Sequence, residues 1–218
     1  MPESAKVAVI YYSSTGTVYE LAKSIVEGAE KAGAEVRLRK VTELAPQQAI
    51  ESNPVWAKHV EDTKDIETAT PDDVLWADAV ILGTPTRFGN VSSQLKQYLD
   101  MLGPLWFQGK LADKVYSGFT AGSTKHGGHE TTMTALFNTI YHFGGIVVAP
   151  GYTDASKMAD GNPYGTTHIS GMGNEPVDDV ARNAAAYQGR RVTRFAAAIK
   201  AAAPAQQGGN DGEAPAGH

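Results

Sequence analysis

Hydrophobic residues in this chain fall into two alternating patterns. Lys6–Tyr12 (KVAVIYY) and Asp78–Gly83 (DAVILG) are nearly continuous apolar runs rich in β-branched residues, which is how a strand covered on both faces reads. Lys114–Thr120 and Gly145–Ala149 (GIVVA) extend that set, and Ala34–Arg39 alternates through Val36 and Leu38. Between these runs the period changes. Val18, Leu21, Ala22, Ile25, Ala29 and Ala32 share one stripe of a helix over Thr17–Gly33, which Thr17 and Glu20 open as a capping box and Gly33 stops at C′. Leu95, Leu99 and Leu102 mark a helix over Ser92–Leu102, and Met133, Leu136, Phe137 and Ile140 mark one over His129–Phe143. Val192, Phe195, Ala196 and Ile199 mark another over Asp178–Lys200. Strands separated by helices require right-handed crossovers and a parallel sheet, so the pattern predicts an α/β domain with five parallel strands.

Two stretches break the scheme. Ala45–Pro71 is polar, with three prolines and Trp56, and Tyr152–Pro176 is rich in Gly, Asn and Thr. Both exceed ordinary connection lengths and read as long functional or interface-forming insertions. The segment Ala201–His218, made of Ala, Gly, Pro, Gln and a few acids, reads as a disordered tail on a single domain of residues 1–200.

In an open parallel sheet, ligands bind beyond the carboxyl ends of the strands. After the first strand stand Ser13, Ser14, Thr15, Gly16, Thr17 and Val18, leading straight into a helix. Capping needs one hydroxyl, and this loop has four beside the free N–H groups of a helix start, a combination suited to phosphate. No Gly-x4-Gly-Lys-Ser/Thr pattern is present and no lysine is placed to reach a terminal phosphate, so a monophosphate fits best. Gly171-Met172-Gly173 lies in a loop, without the strand–helix context of a dinucleotide fingerprint, and reads as noise. After the third strand comes Gly83-Thr84-Pro85-Thr86-Arg87-Phe88-Gly89-Asn90, which offers backbone donors, a cation and an aromatic ring to a flat heterocycle. After the fourth comes the glycine-rich Ala121-Gly122-Ser123-Thr124-Lys125-His126-Gly127-Gly128.

Composition narrows the chemistry further. The 218 residues contain no cysteine, which removes disulfides, thiolate metal sites, iron–sulfur clusters and thiol catalysis. Net charge is −5, against a partner of duplex nucleic acid. The longest early apolar run, Val7–Tyr12, is too short for a signal sequence or a transmembrane segment, and a cytoplasmic location is expected.

Taken together, the three loops resemble those of the WrbA-type NAD(P)H:quinone oxidoreductases, flavodoxin-like proteins that bind FMN. The likeness covers roughly residues 5–200. It rests most specifically on Gly83–Asn90 (GTPTRFGN), then on VIYYSS, Leu105-Trp106, Gly127-Gly128-His129-Glu130 and Asn162-Pro163-Tyr164-Gly165. The resemblance implies a three-layer sandwich with helices on both faces of the five-stranded sheet. It implies FMN phosphate on Ser13, Ser14, Thr15, Gly16, Thr17 and Val18, and the isoalloxazine on Pro85, Thr86, Arg87 and Phe88. Ala121, Gly122, Ser123, Thr124, His126 and Gly127 would border the dimethylbenzene and ribityl side. His142 matches a flavin-contacting histidine contributed by a neighbouring subunit, and Trp106 an aromatic wall for the quinone or nicotinamide. A homotetramer with sites at subunit junctions follows from the same resemblance.

The chain departs from the family in three places. Thr15, counted also with the substrate contacts, stands where many members carry an aromatic residue, and Thr17 where they carry histidine. The third loop is one residue longer and gains Lys125, read as solvated, and His126. The implied reaction is a ping-pong reduction of quinones by NAD(P)H through hydride transfer at flavin N5. His142 would serve either as proton donor or as a packing and hydrogen-bonding contact. An electron carrier of the flavodoxin type and a non-enzymatic FMN-binding partner protein are the alternative readings. Carriers of that type are shorter and more acidic than residues 1–200, whose net charge is 19 − 22 = −3.

Overall fold

A computed structural model describes residues 4–202 except Asn174. The elements run β1 (Lys6–Tyr11), α1 (Thr17–Lys31), β2 (Glu35–Lys40), α2 (Gln47–Glu51), α3 (Pro54–Asp62), α4 (Pro71–Trp76), β3 (Ala79–Pro85), α5 (Ser93–Met101), α6 (Gly103–Phe107), β4 (Val115–Gly122), α7 (His129–Phe143), β5 (Ile146–Val147), α8 (Ala155–Asp160), β6 (Thr166–Ile169) and α9 (Asp179–Ala202). The strands pair in parallel in the order β2-β1-β3-β4-β5, with β6 also on β4.

The alternation of β1 explains the layers. Val7, Val9 and Tyr11 face one cluster with Leu21 and Ile25 of α1 and Ala185 and Val192 of α9. Ala8 and Ile10, with Tyr12 just beyond the strand, face the other, with Val74 of α4, Leu95 and Leu99 of α5, and Met133 and Leu136 of α7. Helices α1 and α9 approach closely because two side chains are missing. A Cβ on Gly28 would lie 1.9 Å from the Ala186 carbonyl oxygen, and one on Gly189 would lie 2.2 Å from that of Ile25.

The five-stranded sheet expected from the pattern is present as five strand positions, the fifth filled by two short strands. β5 pairs with Val115 and Tyr116 of β4, and β6 with Phe119 to Gly122. The second insertion leaves the edge after Val147 and returns to it at Thr166. At the break, the buried Gln188 of α9 accepts from Thr166 N–H at 2.8 Å and donates to Ser117 Oγ and the Gly118 carbonyl, while Ser117 donates to the Val148 carbonyl. One amide side chain thus supplies partners that a continuous strand would have supplied. Within the insertion, Lys157 and Asp160 form a fully buried ion pair, and Lys157 also donates to the Gly165 carbonyl at 3.2 Å. Burial pushes the Lys157 ammonium down and the Asp160 carboxyl up, each opposed by its partner.

Several local expectations are corrected. α1 has no capping box: its N-cap is Gly16, at φ 97°, with no side-chain cap. Ala32 is exposed rather than part of the buried stripe. Gly33 does stop the helix, through bonds from Gly33 N–H to the Glu30 carbonyl and from Ala34 N–H to that of Ala29. The first insertion holds two helices, α2 and α3, the second opened by the Asn53 side chain and Pro54. Helix α9 continues through Ala202; the rest of the expected tail, 203–218, lies outside the described residues. Among the described residues no helix is long and apolar enough to cross a membrane.

Removing one partner of the buried pair should cost far more than removing both. Lys157→Met is expected to lower the urea-derived unfolding free energy by about 3–5 kcal/mol, because Asp160 is left buried and uncompensated. Lys157→Met with Asp160→Leu should recover most of that loss.

Candidate functional site

The carboxyl ends of β1, β3, β4 and β6 open into one cleft of about 380 Å³. Ser13, Ser14, Thr15, Thr17 and Val18 line it from the first loop, and Pro85, Thr86, Arg87 and Phe88 from the second. Ala121, Gly122, Ser123, Thr124 and Gly127 line it from the third. The three loops singled out in the sequence therefore converge on one hollow.

Gly16 shapes the first loop without lining the cleft. Its left-handed backbone turns the chain into α1, and its N–H donates to Ser13 Oγ at 3.0 Å. The four hydroxyl residues Ser13, Ser14, Thr15 and Thr17 line the cleft where the 15-residue α1 begins. Hydroxyls beside the positive end of a helix dipole suit an anion. Among the described residues Arg87 is the sole charged one lining the cleft; its guanidinium donates to the Thr86 carbonyl and lies 3.5 Å from Ser14 Oγ. Phe88 is wholly exposed and holds φ 53°, a conformation that costs a non-glycine residue roughly 1–2 kcal/mol.

The second and third loops are stitched together. Thr86 N–H donates to the Ala121 carbonyl at 2.8 Å and the Thr86 hydroxyl to that of Gly127 at 3.1 Å. The Thr132 hydroxyl lies 2.8 Å from Thr86 Oγ1. Gly128, at φ 92°, makes the approach possible, since a Cβ there would sit 2.8 Å from the Gly89 Cα. Gly127 N–H and the His129 ring both meet the Thr124 carbonyl, which leaves Lys125 and His126 at the exposed corners of a turn. His126 does not line the cleft.

His142 and Trp106 stand elsewhere. His142 lies thirteen residues along α7 from His129, roughly 20 Å at 1.5 Å per residue. The Trp106 indole N–H donates to the His142 carbonyl at 2.8 Å, so the two residues form a pair outside their own chain's cleft. Exposed Phe107, Tyr141 and Met101 belong to the same elements, α5 to α7.

The sequence reading missed the fourth wall of the cleft, Ser170, Met172 and Gly173, having passed over Ser170 and set Gly171-Met172-Gly173 aside as noise. Their signal was positional, since they follow β6 as the other loops follow their strands. Ser170 N–H donates to the Gly122 carbonyl at 2.8 Å, which ties this wall to the third loop.

Two further residues support the first loop from behind. Glu43 accepts from Tyr12 O–H, Trp56 Nε1–H, Gln94 Nε2–H and the N–H groups of Leu44 and Ala45. Burial raises its carboxyl pKa, but these donors outweigh burial and hold it below the ordinary range. His59 of α3 packs on the Tyr19 ring and lies behind Gly16, whose Cβ would come within 3.6 Å of Nδ1. Burial lowers the His59 pKa, while Asp62 and Glu20 raise it and Lys40 adds to the lowering.

Residues 5–160 match the NADPH-dependent FMN reductase family. The chain is 41% identical over 200 residues to a Deinococcus radiodurans protein named NAD(P)H dehydrogenase (quinone), covering 91% of this chain and 99% of that one. It is 39% identical to a Rhizobium rhizogenes protein of the same name, over 90% of this chain and all of the relative. A solved WrbA-like flavodoxin from Agrobacterium tumefaciens superimposes with TM-score 0.63 at 25% identity, covering 88% of this chain and 98% of that structure. An archaeal flavodoxin shares the fold, with TM-score 0.57 at 14% identity.

The support behind the first loop titrates in a definite direction. A histidine with a depressed folded-state pKa contributes stability that is complete above the ordinary value near 6.5 and is lost as pH falls through the folded one. Thermal melts of the protein should therefore show Tm falling between pH 7 and pH 5. His59→Gln should flatten that fall.

Proposed function

Because the chain belongs to the NADPH-dependent FMN reductase family, we propose that it binds FMN in this cleft and catalyses the two-electron reduction of quinones by NAD(P)H. One observation carries the reading: a four-hydroxyl anion cradle and a loop pair built for a flat heterocycle share a single cleft. The fit is good, for about 380 Å³ is within the range of small-molecule and cofactor sites. A phosphate monoester would be held by Ser13, Ser14, Thr15, Thr17 and the N–H groups at the start of α1. A planar ring system would lie between Pro85–Phe88 and Ala121–Gly127. A bound FMN would supply the ping-pong hydride chemistry, through its N5, that links NAD(P)H oxidation to a quinone's uptake of two electrons and two protons.

The protein's share is binding, orientation and charge. Arg87 would offer positive charge to the bound heterocycle, favouring its reduced, anionic form. Thr15 and Phe88 stand at the mouth through which the nicotinamide and the quinone would enter in turn. His142 and Trp106 reach a cleft only from a neighbouring subunit, in the homotetramer that belongs to the same proposal. Exposed Phe107, Tyr141 and Met101 support that assembly, since large apolar side chains near one another on a surface mark contact sites. In such a junction Trp106 walls the substrate and His142 contacts the ring or hands a proton to the quinone. A cytoplasmic location rests on the resemblance.

The purified protein is expected to be yellow, to bleach with NADH or NADPH under anaerobic conditions, and to recover its absorbance with benzoquinone. Colourless protein that takes up no FMN would remove the whole reading. His142→Gln separates the two roles of the histidine. A fall of about a hundredfold in quinone reduction marks a proton donor, and an unchanged rate marks a contact.

A further inference from the structure

The first insertion, with Trp56 at its centre, takes no part in the cleft described above. It walls a second hollow of about 720 Å³ between α3, the start of α5 and α7. The two hollows meet at Arg87, which lines both. Trp56 is held there as a fixed plate. Asn53 caps α3 by accepting from Val55 and Trp56 N–H, and the indole N–H donates to Glu43 at 3.1 Å. The same carboxylate accepts from Gln94 at 2.9 Å and from Tyr12 at 2.9 Å, both of which line the hollow. The indole's polar atom is thus satisfied from behind, and the half-buried ring contributes its apolar surface to the wall. Asn90 offers an amide to a heterocycle edge. Arg87 supplies positive charge, Lys96 at the edge is paired with Asp100, and among the described residues no carboxylate lines the space.

An aromatic plate, an amide and an arginine leading into a neighbouring redox cleft make a recognisable combination. The geometry points to this hollow as a subsite for an adenine nucleotide, the adenosine half of the dinucleotide coenzyme. Adenine would stack on Trp56, and the pyrophosphate would cross Arg87 between the two hollows. The inference rests on the reading of the main cleft as the place where the nicotinamide reacts. It gives the first insertion a purpose that the cofactor does not require, because nothing in α2 or α3 lines the cleft.

Three donor-side measurements on the FMN-loaded protein test it. ADP-ribose, the coenzyme without its nicotinamide, is expected to compete with NADH in steady-state turnover. Reduced nicotinamide mononucleotide, the coenzyme without its adenosine half, is expected to reduce the enzyme with a higher KM than NADH. Trp56→Ala should raise the KM for NADH about tenfold, as expected for loss of one base-stacking platform, with no matching rise for the mononucleotide. Trp56→Phe should restore most of the NADH affinity. Absence of ADP-ribose competition, or an equal KM rise for both donors, overturns the subsite while turnover with the mononucleotide leaves the flavoenzyme reading standing. A loaded protein that neither donor reduces overturns both.

Discussion

Strand β4 is buried along all eight of its residues, so its backbone has no water to fall back on and must find protein partners on both edges. On one side β3 pairs with it from Ala79↔Val115 to Pro85↔Ala121. On the other side the pairing is assembled from parts: two residues of β5, four of β6, and Gln188 and Ser117 across the gap. Much of the site depends on this assembly. β6 is where the chain turns into Ser170–Gly173, one wall of the cleft, and β4 itself ends in the glycine-rich loop opposite. The buried Lys157–Asp160 pair matters for the same reason, because it ties the insertion to the backbone just ahead of β6.

The cleft gathers neutral donors at the start of α1, and Arg87 reaches toward them from the second loop, its guanidinium 3.5 Å from Ser14 Oγ. The loop pair behind Arg87 is rigid through Thr86, Thr132 and the close approach of Gly128 to Gly89. Such stitching fixes the guanidinium's root while its tip remains exposed to whatever enters the mouth.

Much of this was legible in the residues. Buried parallel strands announce themselves as apolar runs, and in β1, β3 and β4 the runs coincide with the strands to within a residue or two. The three loops could be found because strand order and strand ends dictate where ligands go. What escaped had short-range or long-range causes. The N-cap of α1 is a left-handed glycine whose conformation only the fold reveals, although Thr17 and Glu20 mimic a capping box. Helix α3 was signalled by Asn53-Pro54, a capping residue followed by a first-turn proline, yet the polarity of its surroundings hid it. β6 is four residues long, and its reason for being a strand is the open edge of β4, far away in sequence. His142 and Trp106 were named from the resemblance, and the fold pairs them with each other outside the cleft of their own chain.

The divided fifth strand has an architectural consequence. Val147 and Thr166 occupy successive stretches of one lane along β4, so everything between them leaves the sheet and returns to it without disturbing any other strand. The sheet treats that passage as a cassette. Its length and chemistry can be rewritten, by drift or by deliberate grafting, provided that the returning residues still meet β4 in register and Gln188 still finds its three partners. Such a scaffold can therefore change beside the site while the sheet that supports it stays as it is.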